Sequence, residues 1–150
     1  MFEISRDFAA FNLGWYRLFT IYAKTFTSDE KKGLADALNL ALHEAMEAPI
    51  DDRFIVISEH GEDEFFIHPT FPGMNRSEKR MLVEVTFGTS RMIDQKRKLA
   101  ELITRYAMEK TGCNEDDVSL IMHAEPLEHM SFGKGKILPD IDLSMPWVNR

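Results

Sequence analysis

The stretch from Asp29 to His60, DEKKGLADALNLALHEAMEAPIDDRFIVISEH, is matched from Asp94 onward by DQKRKLAELITRYAMEKTGCNEDDVSLIMHAEP. The match keeps a constant offset of 65 residues without a gap over about thirty positions, which indicates an internal duplication. We therefore expect the fold to contain two copies of one structural unit. Matched positions include Asp29 with Asp94, Lys31 with Lys96, Leu34-Ala35 with Leu99-Ala100, and Asp51-Asp52 with Asp116-Asp117.

Each copy reads as strand, helix, strand. The opening strands are predicted at Leu18–Ala23 and Leu82–Phe87, and the second alternates apolar and polar residues as a half-buried strand does. The closing strands are predicted at Phe54–Ile57 and Val118–Met122. Between them, each helix has one apolar stripe. The stripes are Leu34, Leu38, Ala41, Leu42 and Ala45 in the first helix, and Leu99, Leu102, Ile103, Tyr106 and Ala107 in the second.

The helix ends also have local signals. Thr27 and Glu30 have the spacing of a capping box, in which each side chain satisfies a free backbone amide of the first turn. Gly112 follows the second apolar stripe and is placed to end that helix. These signals predict where the first helix begins and where the second one stops.

The predicted fold class is α/β, in its α+β form, with duplicated β–α–β units. A crossover helix joins parallel strands with a right-handed connection, so two units give a four-stranded sheet, parallel within each unit, with two helices on one face. Because the closing strands are apolar on both faces, the other face of the sheet is predicted to be bare and apolar. Oligomerisation through that face would cover it.

We expect one domain over residues 1–150, which is long enough to bury one core. The loop between the two units contains Phe65-Phe66-Ile67 as a candidate short strand. The predicted parts are an N-terminal extension at 1–17, units at 18–60 and 82–125, a loop at 62–79 and a C-terminal arm at 137–150.

Composition excludes several classes of protein. With 44% apolar and 29% charged residues and a net charge of −7, the chain is globular and lacks the clustered basic face that nucleic acid needs. Glu3 and Asp7 stand where a signal peptide would be basic, and no apolar run is long enough to span a membrane. The single Cys113 cannot form an internal disulfide, so a reduced cytoplasmic location is expected.

In this duplicated pattern the chain resembles the tautomerase superfamily, and most closely the branch of malonate semialdehyde decarboxylase. The resemblance covers roughly Leu18 to Gly135. It implies a homotrimer packed through its sheets, with pockets near the strand ends that adjacent subunits complete. Its most specific motifs are Pro49 with Asp52-Arg53-Phe54, Ser58-Glu59-His60, Arg76-Ser77, Arg91 with Asp94-Gln95-Lys96, and Ser131-Phe132-Gly133.

The residue that the resemblance implies as catalyst is missing. The family uses an amino-terminal proline, whereas the equivalent position here is Tyr16 or Arg17, and no proline occurs before Pro49. The nitrogen of an internal residue is an amide and is not basic. The chain is therefore similar to a divergent member that lacks the proline base, and Tyr16 or Arg17 is a candidate acid or electrostatic substitute.

Other pocket positions are implied by the resemblance. Asp52 matches an aspartate that activates water or positions substrate, and Arg91 matches an arginine that binds the substrate carboxylate. Phe132 is kept, while Met130 replaces a tryptophan that often precedes this motif. A second arginine that often precedes Arg91 is absent, which weakens the decarboxylase prediction.

The residues themselves give both functional and structural alternatives. Arg91 lies at the start of the second helix, where the dipole disfavours a cation, and this hints at another task such as carboxylate binding. Asp52 could transfer protons or could simply precede a strand, as its repeat partner Asp117 does. Arg76 could reach a neighbouring pocket or remain solvated. His60 could shuttle protons but is interpreted as structural.

Two functions follow as hypotheses. The first is a tautomerase-like enzyme for a small 2-oxo or enol acid, with Arg91 on the carboxylate and Asp52 or Tyr16 moving the proton. The second is an inactive homotrimeric binding protein or scaffold whose pocket is occupied by its N-terminal arm. The histidines show no metal-ligand spacing, and neither a metal nor a cofactor is expected. The expected partner is a small organic anion, with no nucleic acid and no membrane.

Overall fold

The computed structural model describes residues 18–50, 53–89 and 91–141, with side chains from Ile21 onward. Within these residues no helix is both long and apolar enough to cross a bilayer. The regular elements are β1 (Leu18–Ala23), α1 (Ser28–Met46), β2 (Ile55–Glu59), β3 (Met81–Gly88), α2 (Ile93–Thr111) and β4 (Val118–Glu125).

The strands form one sheet in the order β2-β1-β3-β4. β1 and β2 are parallel, β3 and β4 are parallel, and β1 and β3 are antiparallel, with Leu18 opposite Thr86. The predicted fold class is thus confirmed. The starts of β1 and β2 and the ends of β3 and β4 lie at the same end of the sheet. We call this end of the strands the Arg91 edge. The opposite edge, where β1 and β2 end, is called the Lys24 edge.

The duplication is visible in the helices. Both contain 19 residues, and α2 begins and ends 65 positions after α1. At the start of α1, Thr27 Oγ1 accepts from the Glu30 amide at 3.1 Å while Glu30 Oε1 accepts from the Thr27 amide at 3.0 Å, which confirms the capping box. Gly112 ends α2 with φ of 70°, as predicted.

Both helices pack on one face of the sheet. Alternate residues of the central strands point into this layer, including Ile21 and Val83, which have no exposed surface. Each helix buries its apolar stripe against the sheet. The helix side chains of this core are Leu34, Leu38, Ala41, Leu42, Ala45, Met46, Leu99, Leu102, Ile103 and Ala107.

The other face of the sheet is mixed rather than apolar, which corrects the prediction. The strand register alternates side chains between the two faces, and several polar residues fall on the open one. The apolar residues Val56 and Ile121 are exposed on this face. The same face also carries a polar pair, in which His123 Nε2 lies 3.5 Å from Glu84 Oε1. The outward residues are Tyr22, Val56, Ser58, Leu82, Glu84, Thr86, Ser119, Ile121 and His123.

Two further predictions concern the irregular segments. Phe65–Ile67 do not form the predicted strand. Phe65 is buried and anchors the loop, whereas Phe66 is 84% exposed. The C-terminal arm is not extended where it begins, because Leu138–Asp140 form a 3₁₀ turn and Leu138 is fully buried. Residues 1–17 and 142–150 lie outside the described residues.

A buried carboxylate ties the long loop to the second unit. Asp117, which has no exposed surface, accepts from the Ser77 amide and hydroxyl at 2.6 Å each and from the Asn114 amide at 2.8 Å. Three donors on one carboxylate offset the cost of its burial. Asp117 therefore has a structural role at the Lys24 edge.

We predict that Asp117→Asn destabilises the protein by about 2–3 kcal/mol, because the amide nitrogen cannot accept from these donors and leaves buried groups unpaired. Urea unfolding followed by circular dichroism measures the change. Glu115→Gln, at an exposed position two residues earlier, is the control and should stay within about 0.5 kcal/mol. Equal midpoints for the two variants would contradict this role for Asp117.

Candidate functional site

Arg91 lies three residues beyond the end of β3, at the Arg91 edge, and only 8% of it is exposed. Its Nη1 donates to the carbonyl of Met46, the last residue of α1, at 3.0 Å. The last carbonyls of a helix have no partner within the helix and form the negative end of its dipole. The sequence predicted that Arg91 lies at the start of α2, where the helix dipole disfavours a cation. The structure places its guanidinium against the end of α1, where the helix dipole favours a cation.

The rest of this guanidinium is unsatisfied. Nε and Nη2 of Arg91 are buried and have no hydrogen-bond partner among the described residues. Burial lowers the pKa of Arg91 from its ordinary value, and the nearby Glu47 carboxylate partly opposes that shift. A buried cation with two free donors is costly, so the site favours an anion that accepts from both nitrogens.

The segment after α1 is fixed by side chains of the helix itself. Asn39, which is buried, donates through Nδ2 to the Ile50 carbonyl, and His43 Nδ1 donates to the Ala48 carbonyl at 2.6 Å. Glu47 has a left-handed backbone, with φ of 57°, and its amide donates to the His43 carbonyl. These bonds hold the chain that leads from Met46 towards β2.

An aromatic pair lies at the same edge of the sheet. Phe54 immediately precedes β2, and its ring meets Phe132 edge to face, with centroids 4.8 Å apart and planes at 77°. Phe132 follows the end of β4, so the C-terminal segment crosses the Arg91 edge to reach β2. The buried Met130 supports the same segment, since its carbonyl accepts from the Leu138 amide at 2.9 Å.

The predicted site residues separate into three groups. Arg91 and Phe132 lie at the Arg91 edge, and their substrate-binding roles stay predictions. Asp52, Tyr16 and Arg17 lie outside the described residues, so their roles stay predictions.

Arg76 lies in the loop at the Lys24 edge. Its Nη1 donates to the carbonyls of His68, at 2.6 Å, and Phe71, so it braces its own loop. Within one chain Arg76 and Arg91 are at opposite ends of the sheet. A pocket containing both needs Arg76 from another copy.

His60, which was interpreted as structural, and Cys113 both lie at the Lys24 edge, and Nε2 of His60 is buried without a hydrogen-bond partner among the described residues. His60 donates its amide to the Ala23 carbonyl at 2.8 Å, and its Nδ1 lies 3.6 Å from Glu64 Oε2. Cys113 is buried, and burial raises the pKa of its thiol, which disfavours the reactive thiolate. In the part of the chain that the structure describes, no group of three His, Cys, Asp or Glu side chains is arranged to hold a metal ion.

Comparison with known proteins identifies the family. The family described as tautomerase enzyme matches residues 52–133. The chain belongs to this tautomerase family. It is 27% identical over 103 residues to the probable tautomerase YusQ of Bacillus subtilis (strain 168), covering 69% of this chain and 81% of that protein.

Solved structures agree with this tautomerase assignment. Malonate semialdehyde decarboxylase superimposes with a TM-score of 0.73 at 28% identity, covering 79% of this chain and 92% of the other. A fused 4-OT symmetric trimer gives a TM-score of 0.67 at 19% identity, with coverage of 80% and 94%, and shows the fold alone. The resemblance proposed from the sequence is confirmed.

The sequence did not reveal the supporting atoms of the site. The Met46 carbonyl is a backbone group and has no residue signature. Asn39 did have a signature in the sequence, because it is a polar residue beside the apolar stripe of α1. In the structure it is 4% exposed. A polar residue at a buried helix position requires a partner, and that partner is the loop after the helix.

We predict that Phe54 and Phe132 couple energetically. A double-mutant cycle with Phe54→Leu and Phe132→Leu, measured by urea unfolding, should give about 0.5–1.5 kcal/mol of interaction. The matched cycle combines Phe54→Leu with Phe66→Leu, because Phe66 is an exposed ring in the loop at the other edge. Coupling near zero in both cycles would show that the ring pair does not hold the C-terminal segment.

Proposed function

We propose that this tautomerase-family protein binds a small 2-oxo or enol acid through Arg91 and acts on it without a proline base. The observation that carries the proposal is the pair of buried donors, Nε and Nη2, left without a partner among the described residues. These nitrogens lie on one side of the guanidinium, and their N–H bonds point in parallel. A carboxylate accepts both through its two oxygens.

The Met46 carbonyl contributes to this geometry. By accepting from Nη1 at 3.0 Å, it fixes the plane of the guanidinium, so that the other side is presented in one orientation. A fixed orientation lowers the entropy lost when the ligand binds. The substrate carboxylate would replace an unsatisfied cation with a bidentate ion pair.

The same arrangement supports isomerisation. When an enol acid and its 2-oxo form interconvert, a proton moves between carbon and solvent-exchangeable groups while negative charge develops on the carbonyl oxygen. A cation beside the adjacent carboxylate stabilises that charge more in the transition state than in the substrate. Asp52 or Tyr16 is the proposed proton carrier, with Arg17 as an electrostatic substitute. The alternative is an inactive binding protein or scaffold whose pocket the N-terminal arm occupies.

A homotrimer completes the proposal. The open sheet face exposes Val56 and Ile121 around the pair of Glu84 and His123, so association of copies would cover these apolar residues. The fused 4-OT neighbour is described as a trimer, which supports the same arrangement. In such an assembly Arg76 of one copy could lie near Arg91 of another.

We predict that Arg91→Met lowers kcat/KM for ketonisation of phenylenolpyruvate by about 10–100-fold, because two charge-assisted hydrogen bonds are lost. Arg91→Lys should keep the bond to Met46 yet lose most of the activity, since an ammonium cannot reproduce the parallel pair. Ultraviolet absorbance of the enol measures the rate, and calorimetry with phenylpyruvate measures binding.

Arg97→Met is the matched control. Arg97 is an exposed arginine of α2 that pairs with Asp94 at 3.0 Å, so its removal should leave kcat/KM within twofold. Equal values for wild type and Arg91→Met would overturn the carboxylate role. Binding that depends on Arg91 without turnover would instead favour the inactive binding protein.

We predict that Ile121→Arg disrupts assembly, because it places a charge on the open face of the sheet, which copies must cover. Sedimentation velocity should show a trimer for the wild type and a monomer for the variant. Leu40→Arg, on the partly exposed side of α1, should remain trimeric. A monomeric wild type would contradict assembly through the sheet.

A further inference from the structure

A shallow, open cavity lies at the Lys24 edge, at the end of the sheet opposite Arg91. It has a volume of about 420 Å³ and combines two cations with an apolar wall. Phe65, Phe66 and Ile67 supply the wall. We call this cavity the Lys24 pocket; it is lined by Lys24, Glu62, Phe65, Phe66, Ile67, His68 and Arg80.

The two cations share one carboxylate. Lys24 Nζ lies 3.1 Å from Glu78 Oε2, and Arg80 Nη1 lies 3.7 Å from Glu78 Oε1. The side chains of Lys24 and Arg80 are each 13% exposed, whereas that of Glu78 is 77% exposed. Glu78 thus places one carboxylate oxygen on each cation while the rest of its side chain remains in solvent.

This internal ion pair is readily replaced. An exposed glutamate that bridges two cations loses side-chain entropy and gains little in water, so such pairs are weak. The hydrogen bond from Lys24 and the charges of Lys24 and Arg80 lower the pKa of Glu78, which keeps its carboxylate ionised. Glu78 therefore shows how a carboxylate fits between these cations without holding the position firmly.

Two further donors lie at the pocket. Arg80 Nε is buried and has no hydrogen-bond partner among the described residues, although Nη1 donates to the Ser77 carbonyl at 3.1 Å. His68 Nδ1 accepts from the amides of Thr70 and Phe71 at 3.1 Å each, so the ring proton of neutral His68 is on Nε2. The loop that carries His68 is fixed by Arg76.

We propose that the Lys24 pocket is a second anion-binding site, which takes an aromatic monocarboxylate. The carboxylate displaces Glu78 and is held by Lys24 and Arg80, while the ring packs on the wall formed by Phe65 and Phe66. This site is independent of Arg91 and of the proposed reaction. Its ligand differs from a substrate of the Arg91 edge in needing no oxo or enol group.

The acidic residues beside the two cations, Glu62 and Glu78, suggest the most direct test of anion binding in the Lys24 pocket. Because Glu78 competes with the ligand and Glu62 lies 3.9 Å from Lys24, the two cations are nearly neutralised in the empty pocket. Glu78→Gln removes the competing charge and keeps the shape of the side chain. A ligand that occupies the position of Glu78 must bind more tightly to this variant, whereas a ligand bound elsewhere is not affected.

The experiment titrates 4-fluorobenzoate into the full chain carrying Arg91→Met, which removes the donors of the other site, and follows binding by fluorine NMR. Glu78→Gln in this background should tighten binding about two- to fivefold, the effect of removing one weak competing ion pair. Adding Lys24→Met or Arg80→Met to Glu78→Gln should weaken binding at least tenfold. Glu128→Gln, at an exposed residue of the Arg91 edge, is the charge-matched control and should match the background.

Circular dichroism and urea midpoints establish that each variant is folded, and Arg80→Gln, which also removes the charge, serves if Arg80→Met is not. Absence of binding in the Glu78→Gln variant would overturn the proposal. Equal affinities for Glu78→Gln and Glu128→Gln, or affinity unchanged by Lys24→Met, would also overturn it. None of these results depends on turnover, so the proposed function at Arg91 stands or falls separately.

Discussion

The hydrogen bond from Arg91 to the Met46 carbonyl links the end of one helix to the start of the other. It satisfies a carbonyl that the helix leaves unpaired, and it fixes a buried guanidinium in one plane. The duplicated unit repeats the pattern at the other edge, where Lys79 donates to the carbonyl of Thr111, the repeat partner of Met46. Lys79 also pairs with Glu30 at 3.3 Å. Arg91 alone of these two cations retains buried donors without partners among the described residues.

The two halves therefore share a backbone but differ in chemistry. The repeat counterpart of Arg91 is Phe26, a buried apolar residue of the core. Asp117 is enclosed by three donors at the Lys24 edge, and its sequence counterpart Asp52 is the proposed proton carrier. Duplication supplies equivalent positions just before the two helices, and substitution has made one of them a buried apolar residue, Phe26, and the other a buried cation, Arg91.

Much of the fold could be predicted because its signals are local. The apolar stripes, the capping box at Thr27 and the turn at Gly112 depend on neighbours along the chain, and the repeat set the architecture. The site depended on contacts between distant elements. Neither the Met46 carbonyl nor the sharing of Glu78 by Lys24 and Arg80 has a signature in sequence spacing. The prediction of an apolar open face was wrong for a related reason. The hydrophobic runs in β2 and β4 predicted that this face is apolar, but polar residues of β3, such as Glu84, lie on the same face.

The proposed role of Arg91 as an anion-binding group can be tested directly through the nitrogen-15 NMR signal of its Nε–H group. Titration of the protein with phenylpyruvate should move this signal downfield and slow its exchange with water, because Nε donates to the ligand carboxylate. The signal is assigned by its loss in Arg91→Lys. If saturating ligand leaves the Arg91 Nε–H signal and its exchange rate unchanged, the guanidinium does not bind the carboxylate and the account is wrong.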